Sequence, residues 1–348
     1  MSPSEGDLAL PCSPDQVDWF LSTPQTGTLE SLRDVEGDIL VLGAGGKMGL
    51  HLCLMLKRSL KALGKGNRVI AASRFATLNA SDAYETAGIE TLSGDFRDDA
   101  FVQDLPDCPT VFYLVGAKFG TTGNPELLWE INVEVAATLA DRFKGSKIVA
   151  FSTGCVYSYV DPGSGGSKED GEMNPIGEYA KSCLGREKRF EDASIAHGTS
   201  VVLIRLNYSV EFRYGVLLDV GQKVMDGEPI DLRMGYVNVI WQSDALNQIV
   251  QCLSLAKSPA APINITGPDT VPVRELAERF ANRFGATPNF VGEESETAWL
   301  SDASLSHKLF GKPSVSLMTM VDWVGAWLKS GCATHGKPTG FERRDGKF

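Results

Sequence analysis

The stretch DILVLGAGGKMG, residues 38–49, decides the fold. Its apolar run ends in glycines spaced G-x-x-G-x-x-G, and a helical pattern of apolar residues follows. Glycines at such a strand-to-helix junction permit a tight turn, close approach of a pyrophosphate to the backbone, and helix–strand packing. An ordinary tight turn also fits the glycines, but their place in the chain favours dinucleotide binding. The loop residues assigned to the cofactor are Gly43, Gly46, Lys47, Met48 and Gly49.

Outward from this junction, apolar β-branched runs alternate with helical patterns. The predicted strands, all interpreted as nearly continuously buried, are 38–46, 67–74, 89–95, 110–117, 147–153 and 200–207. The predicted helices lie within 47–64, 125–143, 177–196 and 272–285. This repeated strand–helix–strand order predicts an α/β fold with a doubly wound parallel sheet and a smaller, mixed C-terminal lobe on the substrate side.

Composition limits the classes of partner. The chain has 348 residues and a formal net charge of −11, which opposes an extended contact with nucleic acid or an anionic membrane. No apolar run approaches the length of a membrane span, and the N-terminus lacks a secretory pattern. Seven cysteines without a C-x-x-C pair and four scattered histidines do not indicate a disulfide framework or a metal site. We therefore expect a cytoplasmic protein with a small-molecule substrate and no metal; a homodimer is left open.

The end of the second predicted strand bears on the choice of cofactor. A carboxylate at that place binds the ribose 2′-hydroxyl of NAD, whereas an arginine accommodates the 2′-phosphate of NADP. Here the strand ends in Ser73 and Arg74, and no acidic residue lies between positions 67 and 78. The pattern favours NADP over NAD. The alternative is an exposed arginine that binds no ligand.

Over residues 38–285 the chain resembles the extended short-chain dehydrogenase/reductase family, which includes nucleotide-sugar epimerases and dehydratases. The glycine spacing is the form this family uses, and SGDFRD and VFYLVGAKFG resemble its third- and fourth-strand motifs. The resemblance implies that Asp95 and Phe96 lie near the adenine, and Lys118 near the cofactor phosphates or the nicotinamide. Asn132, in EINVEVAATL, matches a helical asparagine of the family and is assigned to the cofactor site.

The same resemblance assigns the chemistry. FSTGCVY, residues 151–157, resembles the family's Ser/Thr-x-x-Val-Tyr motif and implies that Thr153 is the catalytic hydroxyl. Tyr179 follows at about the family's interval, which implies that it transfers the proton. The residues assigned to the substrate side are Cys155, Asn207 and Tyr208.

These patterns also divide the chain. We expect an N-terminal extension at 1–36, an NAD(P)-binding Rossmann domain at 37–210, a substrate-side lobe at 211–335 that partly returns to the core, and a C-terminal tail at 336–348. The central sheet is therefore predicted to be Rossmann-like.

One departure from the family concerns the catalytic helix. The family's tyrosine opens Y-x-x-x-K, but YAKSC places Cys183 where that lysine stands. The lysine shares a helix face with the tyrosine, holds the nicotinamide ribose and lowers the tyrosine pKa. Lys181, two residues after Tyr179, points to roughly the opposite side of the helix. Three interpretations stay open: Cys183 packs a helix whose catalytic role is lost, another cation such as Lys118 or the oxidised nicotinamide supplies the charge, or the thiol takes a proton.

A second departure concerns the substrate. RMGYVNVIWQSDAL, residues 233–246, resembles the family's R-D-F-x-x-V-x-D-V-A segment. Alignment on Asp244 places Val237 where an arginine usually binds the pyrophosphate of a nucleotide sugar. Because bidentate phosphate recognition needs a guanidinium, a nucleotide sugar is disfavoured. Arg213 and Arg233 are candidates to replace it.

The sequence therefore predicts an NADP-preferring oxidoreductase or epimerase that exchanges hydride between nicotinamide and a sugar, sugar acid or similar small hydroxy/keto compound. Tyr179 would move the hydroxyl proton, and Thr153 would hydrogen-bond the reacting oxygen. The alternatives are a nucleotide-sugar epimerase or dehydratase, and a non-catalytic NADP(H)-binding sensor or regulatory protein.

Overall fold

The computed structural model describes residues 10–76, 81–118 and 124–347. Their strands are β1 Ile39–Leu42, β2 Val69–Ser73, β3 Glu90–Ser93, β4 Thr110–Tyr113, β5 Lys147–Thr153, β6 Val201–Leu206, β7 Ser209–Val210, β8 Pro229–Asp231, β9 Tyr236–Val237, β10 Ile240–Trp241, β11 Ala261–Ile265, β12 Val271–Pro272 and β13 Asn289–Val291. Their helices are α1 Pro14–Leu21, α2 Thr26–Leu32, α3 Gly49–Ala62, α4 Ser81–Thr86, α5 Asp99–Asp104, α6 Pro125–Trp129, α7 Val135–Arg142, α8 Gly177–His197, α9 Val216–Asp226, α10 Gln242–Gln251, α11 Val273–Phe284, α12 Ser304–Phe310 and α13 Leu317–Lys329.

The central sheet is parallel, with the strand order β11-β6-β5-β4-β1-β2-β3 within the described residues. The predicted doubly wound, Rossmann-like sheet is therefore confirmed. The chain begins in the middle at β1, runs outward through β2 and β3, and then crosses back to β4 on the other side of β1, where Val41 pairs with Phe112. Ligands of such sheets bind at the carboxyl ends of the strands that flank this reversal.

β3 is less buried than expected. Glu90 and Ser93 are exposed and the two residues between them are half-buried, whereas β1 is buried throughout. The prediction of a nearly continuously buried strand at 89–95 is therefore wrong. The reason is its place: β3 lies at the edge of the sheet and pairs with β2 alone.

Local chemistry sets the helix boundaries beside the site. The helical run predicted at 125–143 consists of α6, one turn of π-helix at Glu130–Glu134, and α7. It begins at Asn124, whose side chain accepts a hydrogen bond from the Leu127 N–H at 3.0 Å, with Pro125 in the first turn. A single π turn within an α-helix is frequent at functional sites, and this one carries Asn132.

Apolar residues pack on both faces of the sheet and form a separate core in the C-terminal lobe. In the lobe, Trp241 and Phe280 lie among α9, α11 and α13. The N-terminal segment contributes to both regions, because Val17 and Leu21 of α1 pack into the lobe core and Leu32 of α2 into the sheet core. This segment therefore connects lobe and sheet, which its polar composition did not indicate.

The C-terminal segment, residues 330–347, follows α13 and crosses the opening between sheet and lobe. Thr339 donates from its N–H and its hydroxyl to Asp219 Oδ2, at 2.8 and 2.6 Å, and its carbonyl accepts from Lys118 Nζ at 3.3 Å. Further along, Gly346 packs against Gly177 at the start of α8. None of the helices in the described ranges is both long and apolar enough to cross a membrane.

Candidate functional site

A cavity of about 410 Å³ opens where β1, β4 and β5 end, between the sheet, α8 and the lobe. Its volume is typical of a small-molecule site. The predicted residues that line it are Gly43, Gly46, Lys47, Met48, Lys118, Thr153, Cys155, Tyr179, Asn207 and Tyr208. The predicted residues outside this lining are Gly49, Ser73, Arg74, Asp95, Phe96, Asn132 and Cys183. The structure thus gathers the glycine turn, the candidate catalytic pair and the substrate-side residues around one space.

The glycine turn has no room for side chains. Gly43 has a φ of +79°, and a Cβ there would lie 2.6 Å from the Val115 nitrogen. A Cβ on Gly49 would lie 2.0 Å from the Ala44 carbonyl oxygen. The Gly43 N–H donates to the Ala72 carbonyl at 2.8 Å, which fixes the turn to β2. A bare backbone turn directly before α3 fits a dinucleotide pyrophosphate, because the phosphate oxygens can approach the amides.

A carboxylate that follows β3 lies beside the arginine that follows β2. Asp95, just after β3, lies 3.9 Å from the Arg74 Nη1 and 2.7 Å from the Arg97 Nη2. The Arg97 hydrogen bonds hold the pKa of Asp95 down at about 2. Ser73 lies against the glycine turn, where a Cβ on Gly45 would be 2.7 Å from its hydroxyl oxygen. An arginine and an ionised aspartate therefore meet at the place that distinguishes NADP from NAD.

Phe96 lies beside this pair but belongs to the core. It is 7% exposed and packs its ring against Phe101, with centroids 5.7 Å apart. It forms part of the apolar layer on one face of the sheet.

Tyr179 and Thr153 face the cavity from α8 and from the end of β5. The Thr153 hydroxyl accepts from the Cys155 N–H at 3.2 Å and keeps its own hydrogen for donation. Desolvation by the surrounding protein raises the pKa of Tyr179 well above its ordinary value, and its hydroxyl donates to the Cys183 sulfur. The Lys118 ammonium lies 5.7 Å from the centroid of the Tyr179 ring. The pair therefore presents a protonated phenol and a hydroxyl to the cavity.

Cys183 lies behind the cavity wall. It is fully buried against Tyr157, and burial raises the pKa of its thiol, so the sulfur is protonated near neutral pH. Arg186 donates from Nη2 to Cys183 Sγ at 3.5 Å and from Nη1 to the Val115 carbonyl at 3.1 Å. The sequence analysis missed this arginine. The spacing along the helix was the available signal. Arg186 follows Cys183 by three positions and Tyr179 by seven, and residues at these spacings share one helix face.

Asn132 supports the cavity wall from behind. Its Oδ1 accepts from the Ala117 N–H at 2.8 Å, and its Nδ2 donates to the Ala117 carbonyl at 3.0 Å and to Ser182 Oγ at 2.9 Å. These bonds connect the loop after β4 to α8. The asparagine therefore orients the backbone around the site, and its predicted contact with the cofactor stays a prediction.

The cavity is positively charged. Lys47, Lys118, His335 and Lys337 line it, and no Asp or Glu does so in the described part of the chain. Lys47 Nζ donates to the Ser209 carbonyl at 3.4 Å, and burial lowers its pKa to about 8. His335 and Lys337 belong to the C-terminal segment, for which the sequence predicted no role. The lining suits an anionic group of a cofactor or substrate.

The residues considered for a nucleotide-sugar pyrophosphate lie elsewhere. Val237 is fully buried in the lobe core. Arg213 Nη2 is 3.1 Å from Asp18 Oδ1, and Arg233 Nη2 is 2.5 Å from Asp231 Oδ2 on the surface. Neither arginine lines the cavity. Among the described residues the lining contains no arginine, and its lysines supply point charges without a guanidinium fork.

Solved structures of similar fold belong to proteins that bind sugar nucleotides. MoeE5 in complex with UDP-glucose and NAD is 20% identical, with a TM-score of 0.68, over 85% of this chain and 99% of that chain. UDP-glucuronic acid 4-epimerase from Bacillus cereus, in complex with UDP-glucuronic acid and NAD, is 18% identical, with a TM-score of 0.68, over 84% and 99%. The Thermus thermophilus UDP-glucose 4-epimerase complex with NAD is 18% identical, with a TM-score of 0.69, over 84% and 99%. At such identities the likeness establishes a shared fold.

A search of the curated proteins found no match. Residues 39–211 match the model of the NAD dependent epimerase/dehydratase family. This segment spans β1 to β6, the glycine turn, Thr153 and Tyr179. Through residues 39–211, the chain belongs to the NAD dependent epimerase/dehydratase family.

Proposed function

We propose that this protein is an NAD(P)-dependent oxidoreductase or epimerase acting on a sugar, sugar acid or similar small hydroxy/keto compound. The observation that carries the proposal is a single cavity bordered by the glycine turn, Thr153 and Tyr179. The similar structures of UDP-sugar epimerases with NAD support the same type of chemistry. When bound, the nicotinamide would supply the hydride donor or acceptor.

The residues present fit such a cofactor. The turn at Gly43 and Gly46 would hold the pyrophosphate, and Lys118 would neutralise a phosphate or contact the nicotinamide ribose. The preference for NADP is part of the proposal and is supported by Arg74, whose side chain is 55% exposed. Asp95 opposes it, because an ionised carboxylate 3.9 Å from that guanidinium would repel a 2′-phosphate.

The proton chemistry belongs to Tyr179 and Thr153. In the reducing direction Thr153 would donate a hydrogen bond to the substrate carbonyl oxygen, and Tyr179 would deliver the proton. Its raised pKa keeps the phenol protonated for that role. In the oxidising direction Tyr179 would accept the hydroxyl proton, and positive charge nearby would favour its ionised form.

The charge of the lining narrows the substrate class. Three lysines and a histidine line the cavity, and no Asp or Glu is among the described lining residues, which favours a sugar acid over a neutral sugar. Cys155, Asn207 and Tyr208 would border the substrate. A nucleotide-sugar epimerase is the second candidate, favoured by the similar structures with UDP sugars. The burial of Val237 disfavours it.

A non-catalytic NADP(H) sensor is the third candidate, since the neutral thiol of Cys183 replaces the family's lysine.

The test begins with calorimetric titration of the purified protein with NAD(H) and NADP(H). Sugar acids, polyols and UDP-glucuronic acid are then screened for a change in nicotinamide absorbance. Turnover of a sugar acid supports the proposal, and binding without turnover supports the sensor. A rise in melting temperature of several degrees with millimolar UDP-glucuronic acid favours the nucleotide-sugar reading. Failure of both dinucleotides to bind overturns the proposal.

Assembly is tested separately. The homodimer left open by the sequence stays a prediction, and light scattering of the purified full chain measures it directly. A mass of one chain at micromolar concentration contradicts it.

A further inference from the structure

Arg186 is a buried cation directly beneath the catalytic tyrosine. It is 6% exposed, and on α8 it follows Cys183 by three residues and Tyr179 by seven. This spacing places all three side chains on one face of the helix. Its Nη2 donates to Cys183 Sγ at 3.5 Å, and the sulfur in turn accepts from the Tyr179 hydroxyl.

The guanidinium has no acidic partner. Within the described residues no carboxylate lies in ion-pair distance of Arg186, and its buried Nε has no hydrogen-bond partner. The adjacent Glu187 is directed to Arg205, with Oε2 2.8 Å from its Nη2, and to the Ser152 hydroxyl. Burying a charge without an ion pair is costly, although the charge of Glu187 favours the protonated guanidinium. The position of Arg186 therefore calls for an explanation other than stability of the fold.

The neighbouring backbone leaves space for this side chain. A Cβ on Gly116 would lie 2.6 Å from Arg186 Nη1, so any larger residue there would displace the guanidinium. Gly116 itself lines the cavity. The guanidinium therefore lies behind Gly116, between the Val115 carbonyl and the Cys183 sulfur.

We propose that Arg186 supplies, through Cys183, the positive charge beside Tyr179 that the family's lysine would supply from position 183. The proposal rests on the proposed function. A lysine at 183 would place a second cation against the guanidinium, whereas a small neutral thiol accepts from Tyr179 and contacts Arg186 without repulsion. Burial, Cys183 and Cys155 raise the pKa of Tyr179, and the Arg186 charge opposes that rise. Arg186 acts through other residues and is a positioning residue.

Lys118, the cation considered from the sequence, has a different position. Its ammonium lies 5.7 Å from the centroid of the Tyr179 ring and donates to the Thr339 carbonyl of the C-terminal segment at 3.3 Å. Burial raises the pKa of the Cys155 thiol, and the Lys118 charge opposes that rise. Lys118 therefore belongs to the cavity lining, and Arg186 to the support of the catalytic helix.

The experiment places a fluorinated tyrosine at position 179 and follows its titration by fluorine NMR in the full chain without ligand. The fluorine brings the titration into an accessible pH range and gives one resonance. Arg186→Gln keeps hydrogen-bond donors but removes the charge, so the midpoint should rise by about one pH unit or more. Arg186→Lys should keep the midpoint closer to that of the parent. Arg189→Met, at an exposed arginine one turn later that pairs with Glu134, is the matched control and should not move it.

A double substitution sharpens the test. Cys183→Lys alone should lower the melting temperature, because two cations meet in a buried space. Combined with Arg186→Gln, the same lysine should bring the titration midpoint back toward that of the parent. An unchanged midpoint in Arg186→Gln overturns the proposal, as does a lysine at 183 that has the same effect with and without Arg186. These readouts need no cofactor or substrate, so failure of the proposed function is recognised separately.

Discussion

The glycine turn and the catalytic helix border the same cavity but are built in different ways. At the turn, the backbone itself is the site: a Cβ on Gly43 or Gly49 would overlap main-chain atoms. On α8, the proposed chemistry would depend on charge and protons carried by Tyr179, Cys183 and Arg186. A site formed by the backbone needs glycine at fixed positions, so its motif is recognisable in the sequence. A positive charge beside the tyrosine can come from any basic side chain that reaches it, so the residue that supplies this charge can differ in type and position.

The largest expected effect is a loss of turnover when Tyr179 on α8 is changed. Tyr179→Phe should lower turnover by about a thousandfold, because the ring remains while the proton-transferring oxygen is lost. Cofactor affinity, measured by calorimetry, should stay within about twofold. Tyr236→Phe, at a half-buried tyrosine outside the cavity lining, is the matched control and should leave both unchanged. Full activity of Tyr179→Phe would refute the assigned role.

The next largest effect is a loss of stability when the glycine turn is changed. Gly49→Ala places a Cβ 2.0 Å from the Ala44 carbonyl oxygen, so the turn must shift. We expect a loss of about 3 kcal/mol in the free energy of unfolding and weaker binding of the dinucleotide. Gly66→Ala is the control, because no atom lies within 4 Å of the added Cβ. Denaturant unfolding measures both, and equal stabilities would show that the turn is not close-packed.

A smaller effect concerns the adenine end, where a side-chain charge adjoins the backbone turn. Arg74→Ala should remove most of an NADP preference of roughly tenfold, about 1.4 kcal/mol, because it removes the guanidinium that would bind the 2′-phosphate. Arg68→Ala, at an equally exposed arginine before β2, should not alter the ratio. Equal dissociation constants for NADPH and NADH in the parent protein would contradict the preference.

The smallest effect concerns Asp219, which holds Thr339 of the C-terminal segment. Burial raises the pKa of Asp219 from its ordinary 3.8 to about 6. Because the folded state binds this proton more tightly, the associated stability is fully present below about pH 4 and is lost as pH rises through about 6. Asp219→Asn should therefore be more stable than the parent at pH 8, by about 1 kcal/mol, and lose this advantage at pH 4. A gap that does not change with pH would contradict this role.

Local patterns predicted most of the sheet. The runs that became β1, β2, β4, β5 and β6 are mostly apolar, because each lies inside the sheet and packs into the cores on its two faces. β3 was found in the correct place with the wrong burial, since hydrophobic pattern alone does not give the position of a strand within a sheet. The N-terminal helices were not predicted, because Val17, Leu21 and Leu32 are few apolar residues in a polar segment.

The sequence by itself determined the glycine turn and the order of the motifs, because these depend on spacing along the chain, whereas the fold brings Thr153 at the end of β5 to the same cavity as Tyr179 on α8. Only the tertiary structure decided where the charges lie. Asp95 reaches Arg74 across two strands, and Thr339 meets Lys118 although 221 positions separate them. The Arg186 guanidinium finds the Val115 carbonyl on another element, 71 positions away. Periodicity and propensity are properties of neighbouring residues, whereas the electrostatics of a cavity depend on whichever side chains the whole fold brings to its wall.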